Sequence, residues 1–347
     1  MFRRALPEPV RTVVVLTKHR FMGDTIVAVP LLRATRQVFP EARITLATGA
    51  AAAVALQNCP FLDRMVCYNP RERRFDARRF YEELTQQNCR PDVCLVADRS
   101  FRSAYVALRI GGKVRAGFVS EGRGFLLTHP VPYRTDTSEI ECCLDILRAV
   151  VPEGRDTPGY DPTPELFLTE AERERGAQIL REEGAASMPL VGIQPGASYT
   201  AKQWLASGYG TVARELARDR FGIVLLGSGV AEEEAAAQMI AAMRGTSVIN
   251  LTGKTSLRET MGVLAHLQLF IGNDTGVNHI AASLSVPTIG LFGPTSARKW
   301  GHTGPKNIVL TAPDGNLCRL ETAAVLEAAR NLLCRERPWE ASLGAAR

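Results

Sequence analysis

The sequence predicts an α/β protein made of two Rossmann-like, doubly wound parallel-sheet domains that face a central cleft. Three observations predict it. Short β-branched runs alternate with helical stretches along nearly the whole chain, which implies parallel strands covered on both faces. A proline-rich segment, residues 151–170, carries four prolines and two glycines and interrupts the alternation, which then restarts. The length, 347 residues, exceeds what one core usually fills. The expected division is 1–160, 161–335 and a tail, 336–347.

In the first half, "VRTVVVLT" (10–17) is nearly continuous Val and Leu, the pattern of a strand buried on both faces. A polar loop, "KHRFMGD", follows, and then "TIVAVPLLRATRQVF", a helix that Pro30 must either kink or start. "ARITLAT" (42–48), "RMVCY" (64–68), "PDVCLVA" (91–97) and "KVRAGF" (113–118) continue the strands, with helices expected after 50 and around 76–87 and 99–110. In the second half, "PLVGIQPG", "GIVLLGSG", "TSVINLTG", "LQLFIGND" and "VPTIGLFGPT" are strand-then-turn units, each containing glycine. Helices are expected near 204–218, 230–243, 256–266, 276–285 and 319–333. Ligands in such sheets bind beyond the carboxyl ends of the strands.

Composition narrows the function classes. The 46% hydrophobic and 22% charged fractions are those of an ordinary globule, and no apolar run approaches a spanning helix. The N-terminus lacks the apolar stretch of a signal peptide, so a cytoplasmic location is expected. The eight cysteines show no paired-ligand spacing and read mainly as small core residues, so no metal site is expected. Residues 1–150 hold 23 Lys and Arg against 15 Asp and Glu, and the remainder 19 against 21. A basic first half suggests an anionic partner there or a solvated arginine-rich face. The run "RERRFDARRF" (71–80) offers no stacking platform or reading helix, so nucleic acid is not expected.

The densest chemistry lies in "GNDTGVNHIAASLSVPTIGLFGPT" (272–295). A strand ends at Asn273–Asp274, Gly276 permits a tight turn, and a helix begins near Val277 with Asp274 or Thr275 as its cap. The first-turn N–H groups and the helix dipole then suit an anion, and His279 is placed to face the same mouth. A plain capped helix with a surface histidine would give the same pattern. "QPGASYTAKQW" brings Gln194, Gly196 and Ser198 to the end of another strand, with Lys202 close behind. "LLGSGVAEEE" brings Gly227 and Ser228, and then Glu232 or Glu233, which suit ribose hydroxyls or a helix start. "TGKTS" (252–256) is no phosphate loop, because that motif needs glycine where Val248 stands. A G-x-G-x-x-G fingerprint after the first strand and any D-x-D pair are also absent. In the first half Asp24 follows Gly23 in the loop after the first strand. A helix start there would keep its carboxylate ionised and able to take a proton, or it is only a cap.

Taken together, "GDTIVAVPLLRATRQVFPEARITL", "QPGAS…K.W" and the 272–295 stretch resemble the ADP-heptose:lipopolysaccharide heptosyltransferases, inverting enzymes of the GT-B architecture. The similarity runs from about residue 12 to 330. The resemblance implies that Asp24 is the general base and that Lys202 meets the phosphate or departing ADP. It implies that Asp274, Thr275, Gly276 and His279 hold the diphosphate. A glutamate after the G-S loop would bind ribose, with Glu233 favoured over Glu232. The implied donor is ADP-heptose and the acceptor an anionic, lipid-linked sugar. Lys18, Arg20, Arg99 and Arg102 are candidates to hold the acceptor, with no metal or other cofactor, loose contact with the inner face of a membrane, and a monomeric enzyme. A nucleotide-sugar epimerase of the same architecture and a nucleotide-sugar-binding non-enzyme are the rival readings.

Overall fold

The computed structural model describes residues 5–69, 77–85, 90–151, 161–185, 188–243 and 245–335. They form two compact units that divide between Phe167 and Leu168, each built on one six-stranded parallel sheet. This division lies beyond the expected 160/161 because residues 161–167 are tied to the first unit. Arg33 ion-pairs with Glu165 and donates to the carbonyls of Asp161 at 2.7 Å and Thr163 at 2.8 Å. Phe167 sets its ring edge-on to Phe61, with centroids 5.7 Å apart. Part of the proline-rich segment, the basic run up to Asp76, and the tail 336–347 lie outside the described residues.

The first sheet contains β1 (Thr12–Leu16), β2 (Arg43–Thr48), β3 (Arg64–Cys67), β4 (Val93–Val96), β5 (Val114–Phe118) and β6 (His129–Val131), in the order β3-β2-β1-β4-β5-β6. The second contains β7 (Leu190–Gln194), β8 (Gly222–Leu225), β9 (Ile249–Asn250), β10 (Leu269–Asn273), β11 (Thr288–Phe292) and β12 (Asn307–Thr311), in the order β12-β11-β10-β7-β8-β9. Both are the Rossmann winding, with the strand order reversing beside the unit's first strand. The switch points are therefore β1/β4 and β7/β10. Every residue of β4, β7, β8, β10 and β11 is buried, so both sheet faces are covered, as continuous apolar strands require.

Several elements escaped the alternation. β6 is a three-residue edge strand containing Pro130, where a missing N–H breaks no inner ladder. β12 is a half-buried edge, whereas the strand expected in "TSVINLTG" is present but cut to two residues, β9. Helix Glu170–Glu182 is so polar that its apolar stripe is hidden. It starts with a Thr169/Glu172 capping box and packs where Gly176 meets the backbone of Gly262, too close for any Cβ. Helix Glu139–Arg148 was also unanticipated. Pro30 starts a helix, Val29–Val38, after a separate short turn of helix, Met22–Ile26.

Candidate functional site

Burial of β7 and β10 delivers polar residues at their carboxyl ends, next to each other at the second switch point. Asn273, the last residue of β10, is fully buried and fully bonded. Its Oδ1 accepts from Trp204 N and Tyr209 Oη at 3.1 and 3.0 Å, and its Nδ2 donates to the carbonyls of Pro195 and Gly196, both at 3.1 Å. This one amide holds the Gln194–Trp204 loop against the end of β10. It was absent from the sequence-derived set, although an asparagine closing an apolar strand beside a second polar loop is a readable signal.

Two polar chains are built on that base. In the first, Lys202 Nζ donates to Asp274 Oδ2 at 2.7 Å, and Asp274 Oδ1 faces His279 Nε2 at 3.8 Å. His279 Nδ1 then meets His302 Nε2 at 2.8 Å. Burial, with the facing His279 ring, holds the His302 imidazole down to about 3, so it is neutral. Because the Asp274 carboxylate lies toward Nε2, the tautomer with the proton on Nε2 is electrostatically preferred in a neutral His279. His302 donates to its Nδ1 in that case. Nothing at the sequence level marked His302, which a distant loop brings in.

In the second chain, Thr275 Oγ1 donates to Gln194 Oε1 at 2.6 Å, and Gln194 Nε2 donates to both Glu232 oxygens at 3.0 and 2.9 Å. Ser228 N closes it with a 2.9 Å bond to Glu232 Oε2. Thr275 is the N-cap residue by position, but its hydroxyl is spent on Gln194 rather than on the helix Gly276–Ser283. Gly276 is the first helical residue and has no positive φ, so the tight turn expected of it is not its role.

The structure brings Glu232, not the favoured Glu233, into this cluster. Glu232 stands at the third helical position, from which a carboxylate reaches back over the helix start. Glu233 Oε1 instead lies against Gly253, where an added Cβ would come within 2.7 Å of it. Two glycines seat Glu232. A Cβ on Gly196 would lie 2.8 Å from the Glu232 Cα, and Gly227 holds φ +147° with its Cβ direction filled by the Glu232 carboxylate. Ser198 is exposed in the Gln194–Trp204 loop.

At the first unit's switch point, Asp24 sits in the Met22–Ile26 turn, ion-paired with Lys18. Buried Thr25 pins that turn by contacts of 3.1 Å with the hydroxyls of both Thr17 and Thr48, at the ends of β1 and β2. Arg20 stacks on Phe21, its guanidinium 5.4 Å from the ring centroid. Arg20 also borders an open pocket of about 530 Å³ with His19, Tyr68 and Asn69. After β4 come Asp98, Arg99 and Arg102. Burial pushes the Asp98 carboxyl up, but hydrogen bonds from Ser103 and Ser100 and the Lys18 charge outweigh it and keep it below the ordinary range. Arg99 lies over the Tyr133 ring at 4.5 Å, and Arg102 is exposed. Asp98 was missed, although an aspartate directly after a buried strand is the signal used elsewhere.

Among the described residues, four cysteines (59, 94, 142, 143) are buried and three are exposed, and no group of His, Cys, Asp and Glu has a metal-binding arrangement. Burial pushes the Cys94 thiol up to about 12 and Cys59 to about 11, so both are unreactive. No helix of the described residues is long and apolar enough to cross a membrane.

Comparison with known proteins gives this geometry its family. Residues 77–328 match glycosyltransferase family 9 (heptosyltransferase). Lipooligosaccharide heptosyltransferase 2 of Haemophilus ducreyi is 25% identical over 320 residues, 88% of this chain and 90% of its own. The solved Escherichia coli ADP-heptose LPS heptosyltransferase II superposes with a TM-score of 0.77 at 25% identity, covering 94% of this chain and 99% of that one. A family 9 glycosyltransferase from Veillonella parvula shares the fold at a TM-score of 0.82 and 20% identity, covering 96% and 100%. The matched residues span most of the chain, so it belongs to glycosyltransferase family 9, the heptosyltransferases.

Proposed function

We propose that this enzyme transfers a heptose from ADP-heptose to an anionic, lipid-linked inner-core sugar, with inversion at the anomeric carbon. The observation that carries the reading is the joint Lys202–Asp274–His279 and Thr275–Gln194–Glu232 cluster at the β7/β10 switch point. Support for the donor comes from the Escherichia coli relative, whose name specifies ADP-heptose. Glu232 takes the ribose hydroxyls, because it is the acid that faces the β7 end. The Gly276 helix start and Lys202 take the diphosphate.

In this mechanism Asp24 accepts the proton of the acceptor hydroxyl as its oxygen attacks the anomeric carbon. The C–O bond to the diphosphate breaks on the opposite face, and ADP leaves with the bonding pair. Lys18, ion-paired with Asp24, holds the carboxylate at the end of β1 before the step. Negative charge growing on the leaving group is met by Lys202 and the helix N–H groups, the task a metal performs elsewhere. Lys18, Arg20 and Arg99 lie on loops after β1 and β4, Arg102 lies in the first turn of the helix that follows β4, and all four suit carboxylates or phosphates of the acceptor. The enzyme works as a monomer on the cytoplasmic face of a membrane.

The test is a transfer assay with ADP-heptose and a deacylated core acceptor. Asp24→Asn is expected to lower kcat by about 10²-fold or more while ADP still raises the melting temperature. Unchanged turnover in Asp24→Asn removes the base assignment. Product from donor alone favours an epimerase, and ADP stabilisation without any turnover favours a binding protein.

A further inference from the structure

Helix Phe101–Arg109, directly after β4, has its apolar stripe on the wrong side for a globule. Ser103, Ala104, Val106 and Ala107 face inward. Phe101, Tyr105 and Leu108, spaced to share one face, are 43%, 42% and 40% exposed. Phe125, on the neighbouring Ser120–Leu126 turn, is 67% exposed, and its ring lies 6.1 Å from that of Phe101. Arg102 and Arg109 are exposed on the same helix.

This turn is built, not loose. Fully buried Arg123 donates from Nε to Phe118 O at 2.7 Å and from Nη1 to Ser100 O at 2.5 Å. Glu121 Oε2 accepts from Phe101 N at 3.0 Å. The protruding phenylalanines are therefore held in place by a buried cation, at the cost of exposed apolar area that a soluble surface would not select.

We propose that this face docks on an anionic lipid surface, the phenylalanines entering the head-group layer while Arg102 and Arg109 meet lipid phosphates. Charge complementarity selects the occupant: an apolar stripe flanked by arginines is the pattern of an interfacial helix, and the basic excess of the chain lies in this half. Position agrees. The helix leaves β4, the strand next to β1, and the Lys18 charge beside Asp24 acts on Asp98 at the end of β4. A sugar anchored by its own lipid keeps its reacting hydroxyl close to the bilayer, so the surface that meets the bilayer belongs at the strand ends that carry the base. That last step rests on the proposed acceptor.

The test is flotation of the full-length protein with equimolar phosphatidylcholine–phosphatidylglycerol vesicles and with pure phosphatidylcholine vesicles. Binding is expected only to the anionic vesicles, weakening as salt rises. Phe101→Ser/Phe125→Ser is expected to lower it about tenfold, and Arg109→Glu at least about fivefold. The double variant should keep its melting temperature and its turnover on a deacylated acceptor, yet lose turnover on a vesicle-borne one. Wild-type protein that ignores anionic vesicles overturns the proposal, as does a double variant that binds like wild type. So does a wild-type dimer that the double variant splits with no change in vesicle binding. Absence of any turnover, with vesicle binding intact and lost in the variants, would count against the acceptor reading alone.

Discussion

Lys202→Met separates the ion pair that the structure shows from the leaving-group role proposed for the same side chain. The ammonium lies 2.7 Å from a carboxylate whose side chain is only 8% exposed, while its own is 25% exposed. At an effective dielectric of about 20 the gross attraction is about 6 kcal/mol, most of which only offsets desolvation. Removing one partner of a buried pair costs about 3–5 kcal/mol, and the partial exposure of Lys202 puts this site near the lower end, about 3 kcal/mol. In Lys202→Met/Asp274→Asn no buried charge is stranded, so urea denaturation should recover most of that loss. Catalysis should not recover. A lost donor to the leaving group is worth about 10²–10³ in kcat, read as ADP release. Restored turnover in the double variant would refute the leaving-group role and reduce Lys202 to a counter-ion for Asp274. An unchanged stability in the single variant would refute the burial argument.

Gly196→Ala places a Cβ within 2.8 Å of the Glu232 backbone, so KM for the donor should rise by about tenfold or more; an unchanged KM would show that the loop yields freely. Glu232→Gln should weaken ADP binding more than Glu233→Gln does in parallel calorimetry, and the reverse order would return the ribose role to Glu233. Acid should act through Glu172, which hydrogen bonds from Arg258 and Thr169 hold down to about 2. Its folded pKa lies below the unfolded one, so its contribution is complete above about pH 5 and is lost as pH falls toward 2. Chemical denaturation of Glu172→Gln should therefore show a deficit of roughly 1–2 kcal/mol at neutral pH that closes over this range, modest because the pair is partly solvated. A deficit that persists at pH 2 would assign the loss to packing.

The buried strands and the polar residues at their ends were determined by the sequence alone. A run such as "VVVL" can satisfy its backbone only inside a covered sheet, and Asp24, Gln194, Lys202, Asp274 and His279 stand at the end of such strands or in the first eight residues after them. A strand's end and its side chains are local properties, so periodicity reports them. Which carboxylate turns inward is not local. Glu232 was separated from Glu233 only when Gly196 and Gly227 left room for one of them. His302, Asn273 as a four-bond hub, and Arg33 drawing residues 161–167 to the first unit depend on partners 23 to 132 residues away. The exposed stripe of helix Phe101–Arg109 is the plainest case. Its sequence has an apolar face, but only packing decided that Ser103, Ala104, Val106 and Ala107 would be buried, leaving Phe101, Tyr105 and Leu108 outside. Tertiary structure alone chooses which side of a helix meets the core, because burial is won by the face that fits the sheet beneath it.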